Sequence, residues 1–248
     1  MMFKQLANWF QSFRGARSDG EAHRATAKLP GGRTIFIGDV HGCVDELKAM
    51  IERIAPRARD RVILLGDLIN RGPDSAGVVA YVAERGFECL MGNHDYEYLS
   101  DPDATPACSA LHKQLGTALH KWMQERPFFI EDDSFIAVHA GLEPGRGPAD
   151  SEPRILMNIR TWDGAGAHLN HSSNPPWYDF YTDSRPVFYG HWARKGLNLR
   201  ENTFGLDSGC VYGRSLSAYV LESKELIQIK AARTYYVPPS LRKQEQTG

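Results

Sequence analysis

The chain has 248 residues, 42% hydrophobic and 24% charged, with a net charge of −1. That length suits one large domain or two small ones, and so small a charge removes any global electrostatic case for nucleic acid or anionic membrane. No apolar run approaches a membrane span and the N-terminus lacks a secretory core, while Cys43, Cys89, Cys108 and Cys210 form no CxxC pair, so a reducing, cytoplasmic setting is expected.

Residues 1–28 stand apart. Phe3, Leu6, Phe10 and Phe13 share one helical face beside Trp9, and the only charges before Asp19 are Lys4, Arg14 and Arg17. Such a face suits either a partner or membrane surface or a short helix packed on the domain. Gly15 to Pro30 reads as a linker, so residues 1–30 form an appended segment, 31–237 the domain, and 238–248 a tail.

From there five segments repeat one layout, a short apolar strand followed by a glycine-flanked polar cluster. Thr34–Ile37 runs into Gly38-Asp39-Val40-His41-Gly42. Val62–Leu65 runs into Gly66-Asp67, with Asn70, Arg71 and Gly72-Pro73 just beyond. Phe87–Met91 precedes Gly92-Asn93-His94-Asp95. Ser134–Val138 precedes His139-Ala140-Gly141, and Pro186–Tyr189 precedes Gly190-His191. Helices are expected at Val44–Ile54, at Asp74–Glu84 with Pro73 in the first turn, and at Ser109–Met123. Short apolar strands alternating with helices predict a largely parallel, buried sheet. Such a sheet puts its site at the carboxyl ends of the strands, where all five clusters fall. Residues 128–140 read as a hairpin turning at Glu131-Asp132-Asp133. The C-terminal stretches "NTFGLDSGCVYG" and "SLSAYVLESKELIQIKAA" read as antiparallel strands of a second sheet packed on the first.

The collected polar residues are Asp39, His41, Asp67, Asn93, His94, His139 and His191. Oxygen and imidazole donors together suit Mn²⁺, Fe or Zn²⁺. They are too many for one tetrahedral ion and suit two ions sharing a carboxylate. Any one of these residues alone reads as a turn former, a helix cap or a hydrogen-bonded histidine; the joint pattern is what points to metal. Such a centre would suit phosphoryl transfer, which needs charge neutralised on the phosphoryl oxygens and a nucleophile ready at neutral pH, since a water between two ions is acidified to hydroxide. An arginine can grip the phosphoryl group and a histidine can protonate the leaving oxygen.

"GDVHG", "GDLINRG", "GNHD", "HAG" and "GH", in this order over residues 38–191, resemble the five signature motifs of the PPP-type, calcineurin-like metallophosphoesterases. The resemblance implies a four-layer α/β/β/α sandwich with a dinuclear centre, Mn²⁺ first among the candidates. It implies that Asp39 and His41 bind the first ion, that Asp67 bridges, and that Asn93, His139 and His191 bind the second. It also implies that His94 is a metal-free proton donor and that Arg71 grips phosphate. "MNIRTWDG" resembles a stretch of the ApaH-like phosphatases, which makes Arg160 the second phosphate clamp, ahead of Arg154. Asn70 and Asp95 are then supporting residues behind the reacting groups.

The protein phosphatase branch carries Asp where this chain has Asn70. With "GDVHGC", "RGP" and "GLDSGCVYG", the chain is most similar to the ApaH-like phosphatases, related to the symmetrical diadenosine tetraphosphatases. The expected function is therefore dimetal-dependent hydrolysis of nucleoside polyphosphates. The alternatives are a broad-specificity serine/threonine protein phosphatase acting on phosphoproteins and an inactive binding module, which the intact donor set disfavours. Trp177, Tyr178 and Tyr181 suit either nucleobase stacking or packing of their loop, packing being preferred. Arg185, Arg194 and Lys195 are candidates for the cleft rim. Cys43 and Cys210 are read as packing residues open to redox chemistry.

Overall fold

The computed structural model describes residues 31–239. The N-terminal segment 1–30, its linker and residues 240–248 of the tail lie outside the described residues.

The first apolar strand is β1 (Thr34–Ile37), buried at every position. Because successive side chains of a strand point to opposite faces, Ile35 and Ile37 enter one core and Phe36 another. Helix α1 (Val44–Ile54) has the predicted bounds and lays Val44, Leu47, Ile51 and Ile54 inward. β2 (Arg61–Leu64) pairs in parallel with β1, and β3 (Glu88–Cys89) in parallel with β2. Helix α2 (Ser75–Glu84) begins one residue later than expected. Asp74 is its N-cap, accepting the Gly77 N–H at 2.7 Å, so Pro73 falls outside the first turn.

Two helices follow. α3 (Asn93–Ser100) starts on the third motif itself, and α4 (Pro106–Gln124) is capped by Thr105 and kinked at Gly116. The expected Ser109–Met123 helix is the body of α4. The hairpin is β4 (Phe129–Glu131) with β5 (Ile136–Val138), antiparallel. After α5 (Pro153–Asn158) come β6 (Val187–Tyr189), β7 (Asn198–Leu199) and β8 (Thr203–Gly205), then β9 (Ser215–Val220) and β10 (Glu225–Lys230).

The strands form two five-stranded sheets, ordered β10-β9-β1-β2-β3 and β4-β5-β6-β8-β7. This corrects the expectation for the C-terminal third. The β9–β10 hairpin joins the first sheet, β9 running antiparallel to β1, so that sheet is mixed. "NTFG" forms β8 of the second sheet, parallel to β6. β1 has an edge that β2 leaves open, and an open edge recruits whatever strand can pair with it. Alternation along β9 and β10 does not say which edge they fill.

Four layers follow from the cores. One cluster joins the outer face of the first sheet to α1, α2 and α4, and a second joins the outer face of the other sheet to α5 and the Trp177 region. Between the sheets lie Phe36, Ile63, Leu65, Phe135, Ala137 and Phe188, with the rings of Phe36 and Phe188 stacked at 3.8 Å. This is an α/β/β/α sandwich, the layering that the resemblance implies. Among the described residues no helix is long and apolar enough to cross a membrane.

Candidate metal centre

Within each sheet the motif-bearing strands run parallel: β1, β2 and β3 in one, β5, β6 and β8 in the other. Their carboxyl ends therefore open on the same edge of the sandwich. Asp39, His41, Asp67, Asn93 and His94 arrive from the first sheet, and His139 and His191 from the second.

Backbone hydrogen bonds lace the loops together. The His41 N–H donates to Asp67 O at 2.9 Å, and the Gly190 N–H to His139 O at 2.7 Å. The His191 N–H reaches across to both carboxylate oxygens of Asp39, at 3.1 and 3.0 Å. Asp95 takes the Leu68 N–H on Oδ1 and the Gly92 N–H on Oδ2, each at 3.1 Å, tying the second motif to the third. The Asp67 Oδ1 accepts the His94 N–H at 2.9 Å, on the first turn of α3, where free N–H groups favour a carboxylate.

These turns are strained. Of the seven non-glycine residues with positive φ among the described residues, five are His41, Asp67, Asn70, Arg71 and His191. Such conformations persist only where the surroundings enforce them, and they gather at working sites. Gly66, at φ +93°, allows a close approach: a Cβ there would stand 2.8 Å from Gly92 Cα and 2.9 Å from His139 Nδ1. At Gly190 a Cβ would strike the Asp39 carboxylate.

Two donor sets emerge, each with donor atoms within 4.8 Å of one another: His41, Asp67 and His94, and Asp67, His139 and His191. Asp67 belongs to both. Its Oδ2 lies 3.5 Å from His41 Nε2 and its Oδ1 3.5 Å from His139 Nε2. The Asn93 Oδ1 sits 3.1 Å from His139 Nε2 and 2.8 Å from His191 Nδ1.

Hydrogen bonds set the tautomers. The His41 Nδ1 faces Ile69 O at 2.9 Å, and the His139 Nδ1 faces Leu65 O at 2.7 Å. A carbonyl only accepts, so each Nδ1 carries the hydrogen and each Nε2 presents a lone pair. At His94 the partner is instead the Asn70 amide nitrogen, 3.2 Å from Nδ1. That nitrogen donates, so the hydrogen of His94 sits on Nε2.

This donor set fits divalent cations. With its hydrogen committed to Leu65, the His139 Nε2 lone pair confronts the Asn93 side-chain oxygen, and a proton or a cation between the two acceptors would reconcile them. A second proton is disfavoured, because burial holds the His139 pKa down despite the Leu65 carbonyl. Burial also pushes His41 well below its ordinary value, helped by His94 and Arg71. The carboxyls move the other way. Burial, then Asp207 and Asp67, raises Asp39 well above the usual range. Burial, joined by the charge of Asp207 and opposed by the His94 N–H bond, raises Asp67 to about 7, and burial with the charge of Asp67 raises Asp95 to about 7. Neutral imidazoles beside carboxyls that resist ionisation are what a cation would reverse.

Both arginines border the cluster. The Arg71 guanidinium donates to His41 Nε2 at 3.2 Å and lies over the rings of Tyr212 and Tyr236, at 5.7 and 5.6 Å. The Arg160 Nη2 donates to His191 O at 3.2 Å, while its buried Nε has no partner among the described residues. Its charge reaches Asp207 and Asp39. Arg154 is elsewhere, bonded to Gly166 O. Arg185 is held by Asp183 and Glu131 at the far end of the second sheet, so it does not rim the cleft. Trp177 and Tyr178 are buried in the outer core of that sheet: they pack their loop and present no stacking face.

Asp207 was not singled out by sequence reasoning. It is buried, follows β8, and its charge acts on both Asp39 and Asp67. The signal was there, since Phe204-Gly205-Leu206-Asp207 places a carboxylate just past a strand and a glycine, as the first two motifs do. Tyr212 and Tyr236 gave no comparable signal.

A profile of the calcineurin-like phosphoesterase family matches residues 32–195, which include all five motifs. The symmetrical bis(5'-nucleosyl)-tetraphosphatase of Psychromonas ingrahamii is 26% identical over 81% of this chain and 97% of its own. A crystal structure provisionally called a diadenosine tetraphosphatase superposes with a TM-score of 0.75 at 29% identity, over 82% of this chain and 96% of that one. A protein serine/threonine phosphatase from Saccharomyces cerevisiae gives a TM-score of 0.58 at 14% identity, over 85% and 82% of the two chains, a likeness of fold alone.

Proposed function

The chain belongs to the calcineurin-like phosphoesterase family, and on that premise we propose that it is a dimetal-dependent hydrolase of dinucleoside polyphosphates, with diadenosine tetraphosphate the reference substrate. The family implies divalent metal ions, and Mn²⁺ is our first candidate, with Fe and Zn²⁺ behind it. The four free cysteines support a reducing, cytoplasmic setting. Residues 31–237 are taken as the catalytic unit, with 1–30 and 238–248 appended to it.

One observation carries this reading: Asp67 turns one oxygen toward His41 and the other toward His139, each at 3.5 Å. A carboxylate so placed is suited to bridge two ions. Asp39 and His41 would hold the first, and Asn93, His139 and His191 the second. When bound, such ions supply Lewis acidity and neutralise charge on the phosphoryl oxygens. The protein's own residues do the rest. Arg71 and Arg160 clamp the phosphoryl group from two sides, Arg71 held flat against Tyr212 and Tyr236. The hydrogen-bearing Nε2 of His94 faces the departing oxygen. Asp95 keeps the second and third motifs in register, and Asp207 supports Asp39 from behind.

A fold shared with a serine/threonine phosphatase leaves phosphoprotein substrates as the alternative, but the relatives aligned over their full length carry the tetraphosphatase name. An inactive binding module is disfavoured by the complete donor set. The test is hydrolysis of diadenosine tetraphosphate beside capped RNA, polyphosphate and phosphoserine peptides, with Mn²⁺ and after exhaustive chelation. The expected result is preference for the dinucleotide and no turnover after chelation. Full activity in the chelated enzyme, or preference for phosphopeptides, would overturn it.

A further inference from the structure

Beside the proposed catalytic centre, three further donors converge that the proposed chemistry does not use. Cys43 closes the first motif and caps α1, Glu46 lies in the first turn of that helix, and Cys210 begins the short 3₁₀ turn Cys210–Tyr212 after β8. The two sulfurs and a Glu46 carboxylate oxygen all lie within 4.8 Å of one another. The three residues are 0%, 4% and 2% exposed, respectively for Cys43, Glu46 and Cys210.

Glu46 is the informative member. Its Oε1 accepts the Ala232 N–H at 3.0 Å and the Tyr235 hydroxyl at 2.7 Å. Its Oε2 is buried and has no hydrogen-bond partner. A buried carboxylate oxygen without a partner is destabilising, and thiols are weak donors. The Cys43 thiol is moreover turned to His41 O, at 3.8 Å. Among the described residues nothing satisfies Oε2, whereas a cation among the two sulfurs and this oxygen would.

We propose that Cys43, Glu46 and Cys210 form a zinc site separate from the catalytic centre. Thiolate donors select Zn²⁺ over Mn²⁺ or Mg²⁺, so the two centres would sort different ions. A tetrahedral zinc with sulfur at about 2.3 Å and oxygen at about 2.0 Å puts its donors about 3.5–3.8 Å apart, so a shift of about 1 Å brings the donors here into range. Zinc binding sends the two thiol protons to solvent, and water takes the fourth position. The ion ties the loop bearing Asp39 and His41 to the loop bearing Asp207, and through Glu46 to the segment 232–235.

Cobalt(II) tests this on the full-length chain, kept reduced with a phosphine. Thiolate-bound cobalt has an intense near-ultraviolet charge-transfer band. The catalytic candidates carry no sulfur, and Cys89 and Cys108 lie outside this cluster, so a band that depends on both Cys43 and Cys210 reports this site whatever the fate of the proposed activity. The expected band saturates at one thiolate-bound ion per chain, is erased by Zn²⁺, and is lost in Cys43→Ser and Cys210→Ser. In Glu46→Gln it persists with affinity weakened about tenfold or more. Absence of the band in the wild-type chain with excess cobalt, or its survival in Cys210→Ser, would overturn the proposal. Absence of the band from the wild-type chain overturns the proposal even if a variant fails to fold.

Discussion

Asn70 donates its side-chain amide to His94 Nδ1 across 3.2 Å. The bond orients the ring but supplies no charge. Burial, with Arg71, His139 and Arg160 adding to it, holds the His94 pKa down to about 3, so the neutral ring offers Nε2–H as a hydrogen bond. That suits an anhydride, whose phosphate leaves readily, better than a serine ester, whose alkoxide needs the proton. Asn70→Asp places a negative charge beside the ring and raises its pKa. The expected outcome is a higher kcat/KM on phosphoserine peptides relative to diadenosine tetraphosphate, the gain being largest at the acid end of the range, where a raised pKa protonates more of the ring. Measuring that ratio from pH 5 to 9 in both proteins checks it. His94→Asn should lower turnover by about 10²–10⁴-fold, least for substrates with good leaving groups.

Ion binding should depend on Asp67 and on the space beside Asp39. Asp67→Asn is expected to lose metal and activity together, because both donor sets share that carboxylate. Gly190→Ala is a subtler probe. Its methyl group would displace the Asp39 carboxylate while the strands keep their pairing. Metal content per chain should fall with an unchanged far-ultraviolet circular dichroism spectrum. Wild-type metal content in Gly190→Ala would argue that Asp39 is not a ligand.

The arginines should separate from the metal donors. Arg71→Ala and Arg160→Ala are expected to retain ions and to be inhibited more weakly by inorganic phosphate. Charge-assisted hydrogen bonds contribute roughly 1.5–3 kcal/mol, so each inhibition constant should rise about tenfold to a hundredfold. Tyr212→Leu, which removes one ring beneath Arg71, should give a smaller shift in the same direction.

Far from the centre, Asp60 anchors the start of β1. It accepts the Arg33 backbone N–H at 2.8 Å, the Arg33 side chain at 2.9 and 2.6 Å, and the Arg57 N–H at 2.9 Å. Burial opposes its charge, but the Arg33 and Arg57 bonds win and bring its pKa from 3.8 to about 2. A depressed carboxyl stabilises the fold above its unfolded pKa, and that contribution disappears as pH falls through the folded value. The stability gap between wild type and Asp60→Asn should therefore be about 2 kcal/mol above pH about 4 and shrink between about 4 and 2. Urea denaturation of both proteins across that range measures it.

Much of the centre was legible because its parts are local. A strand that ends in Gly-Asp or Gly-Asn-His shows itself within six residues, since apolar run, turn and donor follow one another along the chain. Helix α1 was equally plain from its spacing. Helix α3 was not, because Asn93-His94-Asp95 reads as a polar loop until Asp95 is seen bonding the Gly92 and Leu68 amides. Arg185 was misplaced for a similar reason: six residues from His191 in sequence, it sits at the other end of β6.

By itself the sequence determined that donors stand at the carboxyl ends of five short strands, and which residue types those donors are. Only the tertiary structure decided that β9 and β10 complete the first sheet, that Asp207 backs Asp39, and that Tyr212 and Tyr236 hold Arg71. It alone assigned the hydrogens as well, since a carbonyl behind His41 and His139 and an amide nitrogen behind His94 give three chemically identical rings two different faces. Strand pairing and hydrogen-bond partners join residues far apart in the chain, and no local pattern of side chains encodes which distant group will arrive.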